Sequence, residues 1–181
     1  MYASDDAVLH ILRGVTLKFY NACTMIVIDL ADETATAALA ARIAELAERR
    51  DIIALKGDLG SGKTTFARAF IRARSNQEDE VPSPTFTLVQ VYEPEFSASP
   101  AIWHFDLYRL RVPEEAWELG IEDAFDEGIS LIEWPERLGP LLPPRRLQIA
   151  LEFGNRPGAR RAQLDPGTGW RARLSTIAAN A

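Results

Sequence analysis

Gly57-Asp58-Leu59-Gly60-Ser61-Gly62-Lys63-Thr64 places three glycines in a short loop and ends it on a lysine and a threonine. The segment fills every fixed position of the pattern G-x-x-x-x-G-K-[ST]. Just before it, Ile52-Ile53-Ala54-Leu55 is an apolar run short enough for a strand buried on both faces. Just after it, Lys63 to Arg74 carries Phe66, Ala69, Phe70 and Ala73 on one helical stripe. Strand, glycine loop and helix together form an anion cradle. Gly57, Gly60 and Gly62 let successive N–H groups turn into one concavity, and the helix adds the positive end of its dipole. Phosphate fits there, with Lys63 as the cation for the β- and γ-oxygens and the Thr64 hydroxyl as a Mg²⁺ ligand. Thr65 reaches toward the α-phosphate. A random chain of this length matches the pattern in under about 1% of cases, so the signal is specific.

Outward from the loop, strands and helices alternate. Met25-Ile26-Val27-Ile28 predicts a strand, and residues 34–49 predict a helix, with Leu39, Ile43 and Leu46 at i, i+4 and i+7. Asp32 or Thr34 can cap that helix. Val81-Pro82-Ser83-Pro84-Thr85-Phe86 is expected to be extended, because proline disfavours helical geometry in the residue before it. Strands are predicted at Thr87 to Tyr92, Ile102 to Leu107 and Ser130 to Trp134, with a turn at Glu93 to Pro100. Pro113-Glu114-Glu115 opens a helix, and a shorter one runs from Ile121 to Phe125 and stops at Gly128. From Leu147 the spacing changes to alternation. Leu147 to Phe153, Arg160 to Leu164 and Trp170 to Leu174 predict an antiparallel meander. The whole reads as an α/β protein with the P-loop NTPase fold, a mixed central sheet flanked by helices and a C-terminal antiparallel meander.

A phosphate loop only binds, whereas hydrolysis requires carboxylates around the metal and the attacking group. Asp106 ends an apolar strand, as a Walker B carboxylate does. Glu133 ends another and is placed to hold Mg²⁺ or polarise a water. Thr85 lies in a proline-fixed segment between these landmarks, where nucleotide switches put a residue that senses the γ-phosphate. Trp134 offers a ring for the base or ribose, with core packing an equal alternative. His104 reads as a packing residue and receives no chemistry.

Composition sets the bounds. The 181 residues are 47% apolar and 25% charged, the balance of a single globular domain, and the net charge is −6. That balance argues against binding nucleic acid over the whole surface, although seven arginines fall between Arg145 and Arg173. One cysteine, Cys23, forms no internal disulfide, and no apolar run approaches the ~20 residues of a bilayer span. A cytoplasmic location without membrane attachment is expected. Residues 1–24 read as an extension, with Met25 as a candidate start, and 25–181 as one domain.

Four blocks in order resemble the TsaE family: Gly57 to Phe66, Ser83-Pro84-Thr85-Phe86-Thr87-Leu88, His104-Phe105-Asp106-Leu107-Tyr108-Arg109-Leu110, and Ile132-Glu133-Trp134-Pro135-Glu136. The likeness extends from about Met25 to Leu174. It implies a P-loop ATPase of tRNA N6-threonylcarbamoyladenosine biosynthesis that works with the TsaB and TsaD proteins. It further implies that the chain resets the partner complex and meets tRNA through those partners. Carried over, the loop residues Gly57 to Thr65 hold ATP, with Lys63, Asp106 and Glu133 as the catalytic set. Thr64, Asp106 and Glu133 hold Mg²⁺, Thr85 belongs to the switch segment, and Trp134 sits beside the nucleotide. Thr36, in the first helix, matches a family threonine near the nucleotide. Residues 1–24 have no family counterpart, and Ser61 stands where alanine is common.

Taken without the resemblance, the residues support a Mg-dependent P-loop nucleotidase or kinase. A small-molecule kinase would need an acceptor pocket and a basic lid, and no Arg-rich lid lies between Asp106 and Glu133. A nucleotide-gated interaction module without turnover is a third reading. A GTPase would need an N-K-x-D segment after Asp106, which the sequence lacks.

Overall fold

The computed structural model describes residues 9–12, 15–20, 25–75, 81–93 and 99–174. Among them one sheet of nine strands runs in the order β1-β2-β3-β9-β8-β4-β7-β6-β5. The strands are β1 (Leu9–Leu12), β2 (Val15–Tyr20), β3 (Met25–Leu30), β4 (Ile52–Lys56), β5 (Val89–Tyr92), β6 (Ile102–Asp106), β7 (Ile129–Glu133), β8 (Leu147–Phe153) and β9 (Arg160–Asp165). The middle is parallel: β4 pairs with β8 on one side and β7 on the other, and β7 pairs with β6. Antiparallel strands close both flanks.

The parallel centre follows from the sequence. β4 and β7 are fully buried along almost their whole length, which suits strands covered on both faces. One face packs on α1 (Glu33–Leu46) and α2 (Lys63–Ser75) through Leu39, Ile43, Phe66, Phe70, Ile53, Leu55 and Leu131. The other is covered by α3 (Ile121–Glu127) and by 3-10 turns at Pro113–Leu119 and Pro135–Leu141. Asp32 caps α1, its side chain accepting from the Ala35 amide at 2.8 Å. At the other end Arg173 donates to the Leu46 carbonyl at 2.8 Å and grips Asp51 with two nitrogens, at 2.6 and 2.8 Å. A cation on the last carbonyls is favourable there.

Four details depart from the sequence reading. α1 stops at Leu46 rather than 49, where the Asp51 carboxylate takes the Glu48 amide at 2.7 Å and turns the chain. On α2 the buried stripe runs through Phe66, Ala67, Phe70 and Ile71, leaving Ala73 exposed. Thr85 to Thr87 form a turn instead of extended chain, closed by a 2.6 Å bond from the Leu88 amide to the Pro84 carbonyl. The third strand of the C-terminal meander is absent. Trp170 and Leu174 are both buried, four residues apart, and only a helical turn puts i and i+4 on one face. The antiparallel flank is completed instead by β3, paired along β9 from Ile26–Leu164 to Leu30–Arg160. The expected turn at Glu93 to Pro100 falls mostly on residues 94–98, outside the described residues, as does Cys23.

Candidate functional site

The cradle opens at the carboxyl ends of the parallel strands. Gly57, Gly60 and Gly62 have φ of 139°, 77° and 105°, in the region that side chains resist. Gly57 is further constrained by space, since a Cβ there would lie 2.2 Å from the Leu151 carbonyl oxygen of β8. Only glycine lets the loop leave β4 so close to its neighbour.

Lys63 opens α2 and is 4% exposed. Its ammonium donates to the carbonyls of Gly57 at 2.8 Å and Asp58 at 2.9 Å, and lies 3.9 Å from the Trp134 ring centre. Burial pushes its pKa below 10.5; the negative charges of Glu133, Glu136, Asp106 and Asp58 act in the opposite direction.

Strand register brings the carboxylates together. Asp106 of β6 stands directly across from Glu133 of β7, and Glu133 in turn stands across from Leu55 of β4, two residues before the loop. Each carboxylate holds a threonine hydroxyl. Thr64 donates to Glu133 Oε2 at 2.9 Å, and Thr85 donates to Asp106 Oδ2 at 3.0 Å. The other oxygens are also engaged: Asp106 Oδ1 takes the Tyr108 amide at 3.2 Å, and Glu133 Oε1 lies 2.9 Å from His104 Nε2. Thr85 is therefore tied to the Asp106 carboxylate. A cleft of about 270 Å³ is lined by Leu59, Gly60, Gly62, Lys63, Thr64, Thr65, Thr85, Asp106, Glu133 and Trp134, with Tyr108 and Arg160.

Trp134 owes its position to a left-handed backbone, φ 58° and ψ 49°, which turns the chain sharply after β7. Its ring meets Tyr108 with centroids 4.9 Å apart. Thr36 lies apart from the main cleft. Its hydroxyl donates to the Asp32 carbonyl at 3.2 Å, and it lines a small recess of about 110 Å³ that shares Gly62, Thr65 and Arg160 with the cleft. Asp58 and Leu59 project from the loop, Leu59 being 74% exposed. Ser61 is buried and its hydroxyl has no partner among the described residues.

The donor set suits a hard divalent cation: one hydroxyl and two carboxylates on adjoining strands, beside a phosphate cradle. Magnesium accepts so few protein ligands because it retains waters and takes phosphate oxygens. Among the described residues no group of three His, Cys, Asp or Glu stands together as an all-protein cage.

Comparison with known proteins gives the chain its relatives. The model of the family described as "Threonylcarbamoyl adenosine biosynthesis protein TsaE" matches residues 30–162. The chain belongs to the TsaE family. Three curated proteins named "tRNA threonylcarbamoyladenosine biosynthesis protein TsaE" illustrate the range. That of Rickettsia felis is 42% identical over 123 residues, 68% of this chain and 70% of the relative. That of Nostoc sp. is 36% identical over 144 residues, 77% of this chain and 85% of the relative. That of Bacillus subtilis is 36% identical over 118 residues, 65% and 71% of the two chains. A crystal structure of Bacillus subtilis YdiB superposes with a TM-score of 0.70 at 25% identity, covering 85% of this chain and 94% of that one. The TsaE family serves tRNA threonylcarbamoyladenosine biosynthesis, and the fold is the P-loop fold that the glycine motif implied.

Beyond Tyr108, which lines the cleft of this TsaE-family chain, two residues that the sequence reading left out bear on it, Arg160 from its wall and His104 from behind Glu133. Arg160, at the start of β9, donates to the Ser61 carbonyl at 2.8 Å and the Gly60 carbonyl at 3.0 Å, while its guanidinium lies 4.8 Å from the Phe153 ring centre. No local pattern signals this contact, which spans 99 residues. His104 is the second. Its spacing of two from Asp106 on a strand was the available sign, because strand residues i and i+2 share a face. Among the described residues no helix is long and apolar enough to cross a membrane.

Proposed function

We propose that this chain is a magnesium-dependent ATPase that acts with the TsaB and TsaD proteins in threonylcarbamoylation of adenosine 37 of tRNA. The observation that carries the reading is the Asp106–Glu133 pair, in register across β6 and β7 and bonded to Thr85 and Thr64. Binding alone would need the glycine loop and Lys63. Two aligned carboxylates, one tied to the loop threonine and one to the switch threonine, add the groups that hydrolysis uses.

In this reading the amides of Gly57 to Thr65 and the dipole of α2 hold the phosphates. Lys63 exchanges two backbone carbonyls for phosphate oxygens. Thr64, Asp106 and Glu133 hold Mg²⁺, which neutralises charge on the transferring phosphoryl group when bound. Glu133 and Asp106 orient the attacking water from the strand ends, and Thr85 reports the γ-phosphate to its segment through Asp106. Trp134 and Thr36 border the nucleoside side. The partners supply the carbamoyl chemistry and the tRNA contact, and this chain resets them in the cytoplasm.

Lys63→Ala is expected to abolish hydrolysis with an unchanged circular dichroism spectrum. Mixed with TsaB, TsaD, ATP and unmodified tRNA, the wild-type chain is expected to hydrolyse faster than alone and to support multiple rounds of modification. Equal turnover with and without the partners would remove the partner-coupled reading.

A further inference from the structure

We infer that His104 is a positioning residue that fixes the Glu133 carboxylate for the metal, and this inference rests on the magnesium-ATPase reading. Both side chains are buried, His104 completely and Glu133 to 2% exposure, and His104 Nε2 lies 2.9 Å from Glu133 Oε1. The other Glu133 oxygen carries the Thr64 hydroxyl at 2.9 Å. The carboxylate is thus held at both oxygens, one by a hydroxyl at the cleft and one by a ring from beneath.

The ring's own surroundings define its part. His104 Nδ1 has no hydrogen-bond partner among the described residues. A buried N–H at that atom would be left without an acceptor, so the favoured tautomer carries its hydrogen on Nε2 and donates it to Glu133. His104 and Asp106 lie on one face of β6, with Leu131 and Glu133 opposite them on β7. The histidine is two residues deeper in the sheet, among buried residues, and it reaches diagonally to Glu133. It has no route to a nucleotide except through that carboxylate.

A buried carboxylate with one free oxygen can rotate away from an ion, and an N–H donor in a sheet interior blocks that rotation. Groups bonded to metal ligands in this way typically alter metal affinity or activity by about 10–100-fold when removed. A packing histidine would leave both unchanged once its volume was replaced.

The test compares wild type with His104→Leu, which removes the donor, and His104→Gln, which offers an amide N–H at a similar reach. Calorimetric titration of a non-hydrolysable ATP analogue, with Mg²⁺ and then with EDTA, measures the magnesium-dependent gain in affinity. His104→Leu is expected to lose that gain by about tenfold or more, to bind as wild type in EDTA, and to lower kcat; His104→Gln is expected to recover most of both. Wild-type behaviour in His104→Leu would overturn the inference while leaving the ATPase reading intact. No magnesium-dependent gain in the wild type would sink both. Should His104→Leu fail to fold, the ¹⁵N shifts of the His104 ring decide: they are expected to show hydrogen on Nε2 and to move in Glu133→Gln. Hydrogen on Nδ1, or shifts indifferent to Glu133→Gln, would overturn the inference.

Discussion

Glu133 sits between the Thr64 hydroxyl and the His104 ring, and its removal is expected to separate binding from turnover. In Glu133→Ala the loop amides and Lys63 remain, so nucleotide affinity is expected to change less than kcat, measured by calorimetry and phosphate release. The reverse pattern would return Glu133 to a binding or structural role. Lys63 gives a pH prediction. Burial lowers its folded pKa below the unfolded value of 10.5, so between the two the unfolded chain binds more protons and stability rises with pH. Below the lowered pKa the full cost of burying the ammonium is present. Bound triphosphate favours the charged lysine and raises its pKa again. Nucleotide binding in the alkaline range below 10.5 is therefore expected to take up protons, seen as a dependence of calorimetric heat on buffer ionisation enthalpy. Heats independent of buffer there would show that Lys63 stays fully charged in the empty cleft.

Among the elements, the loop depends on a hairpin far from it in sequence. Arg160 holds the carbonyls of Gly60 and Ser61 from β9. Charge-assisted hydrogen bonds of this kind contribute roughly 1.5–3 kcal/mol each, and about 1.4 kcal/mol is tenfold in affinity. Arg160→Ala is expected to weaken nucleotide binding by about tenfold, or about 1.4 kcal/mol, and to lower the melting temperature because both bonds also stabilise the fold; an unchanged Kd would show that the loop keeps its shape alone. The sequence made the cradle legible because glycine, lysine and threonine have fixed tasks at fixed spacing in one continuous segment. Asp106 and Glu133 were legible as apolar runs ending in acids. Their being neighbours was not, since register between β6 and β7 is a property of the folded sheet. Arg160 and the His104–Glu133 bond escaped for the same reason. The turn at Trp170 to Leu174 was misread because five residues carry apolar positions that suit both periods, and burial of both ends beside α1 chose the helical one.

Across the whole molecule, the cleft lies well away from the first two strands. Between β2 and β4 the sheet interposes β3, β9 and β8. β3 is held independently of β2: five of its residues pair with β9, and Ile26, Ile28 and Leu30 are buried in the core that also contains Leu39 and Ile43 of α1. The family match begins at residue 30, inside β3. We therefore propose that residues 1–24 are dispensable for the nucleotide site. A chain beginning at Met25 is expected to fold, since among the described residues the hydrogen bonds of the loop, both carboxylates and Arg160 are made to residues downstream of it. Its affinity for nucleotide is expected to match that of the full chain in a calorimetric titration. Uncovering β3 leaves unpaired backbone N–H and C=O groups along a sheet edge, and such edges invite pairing with other chains. The cost of the truncation should therefore appear as concentration-dependent association in sedimentation, with the cleft unaffected. Loss of nucleotide binding by a folded, monomeric Met25 chain would mean that the first two strands shape the site through β3, and that the domain begins before Met25.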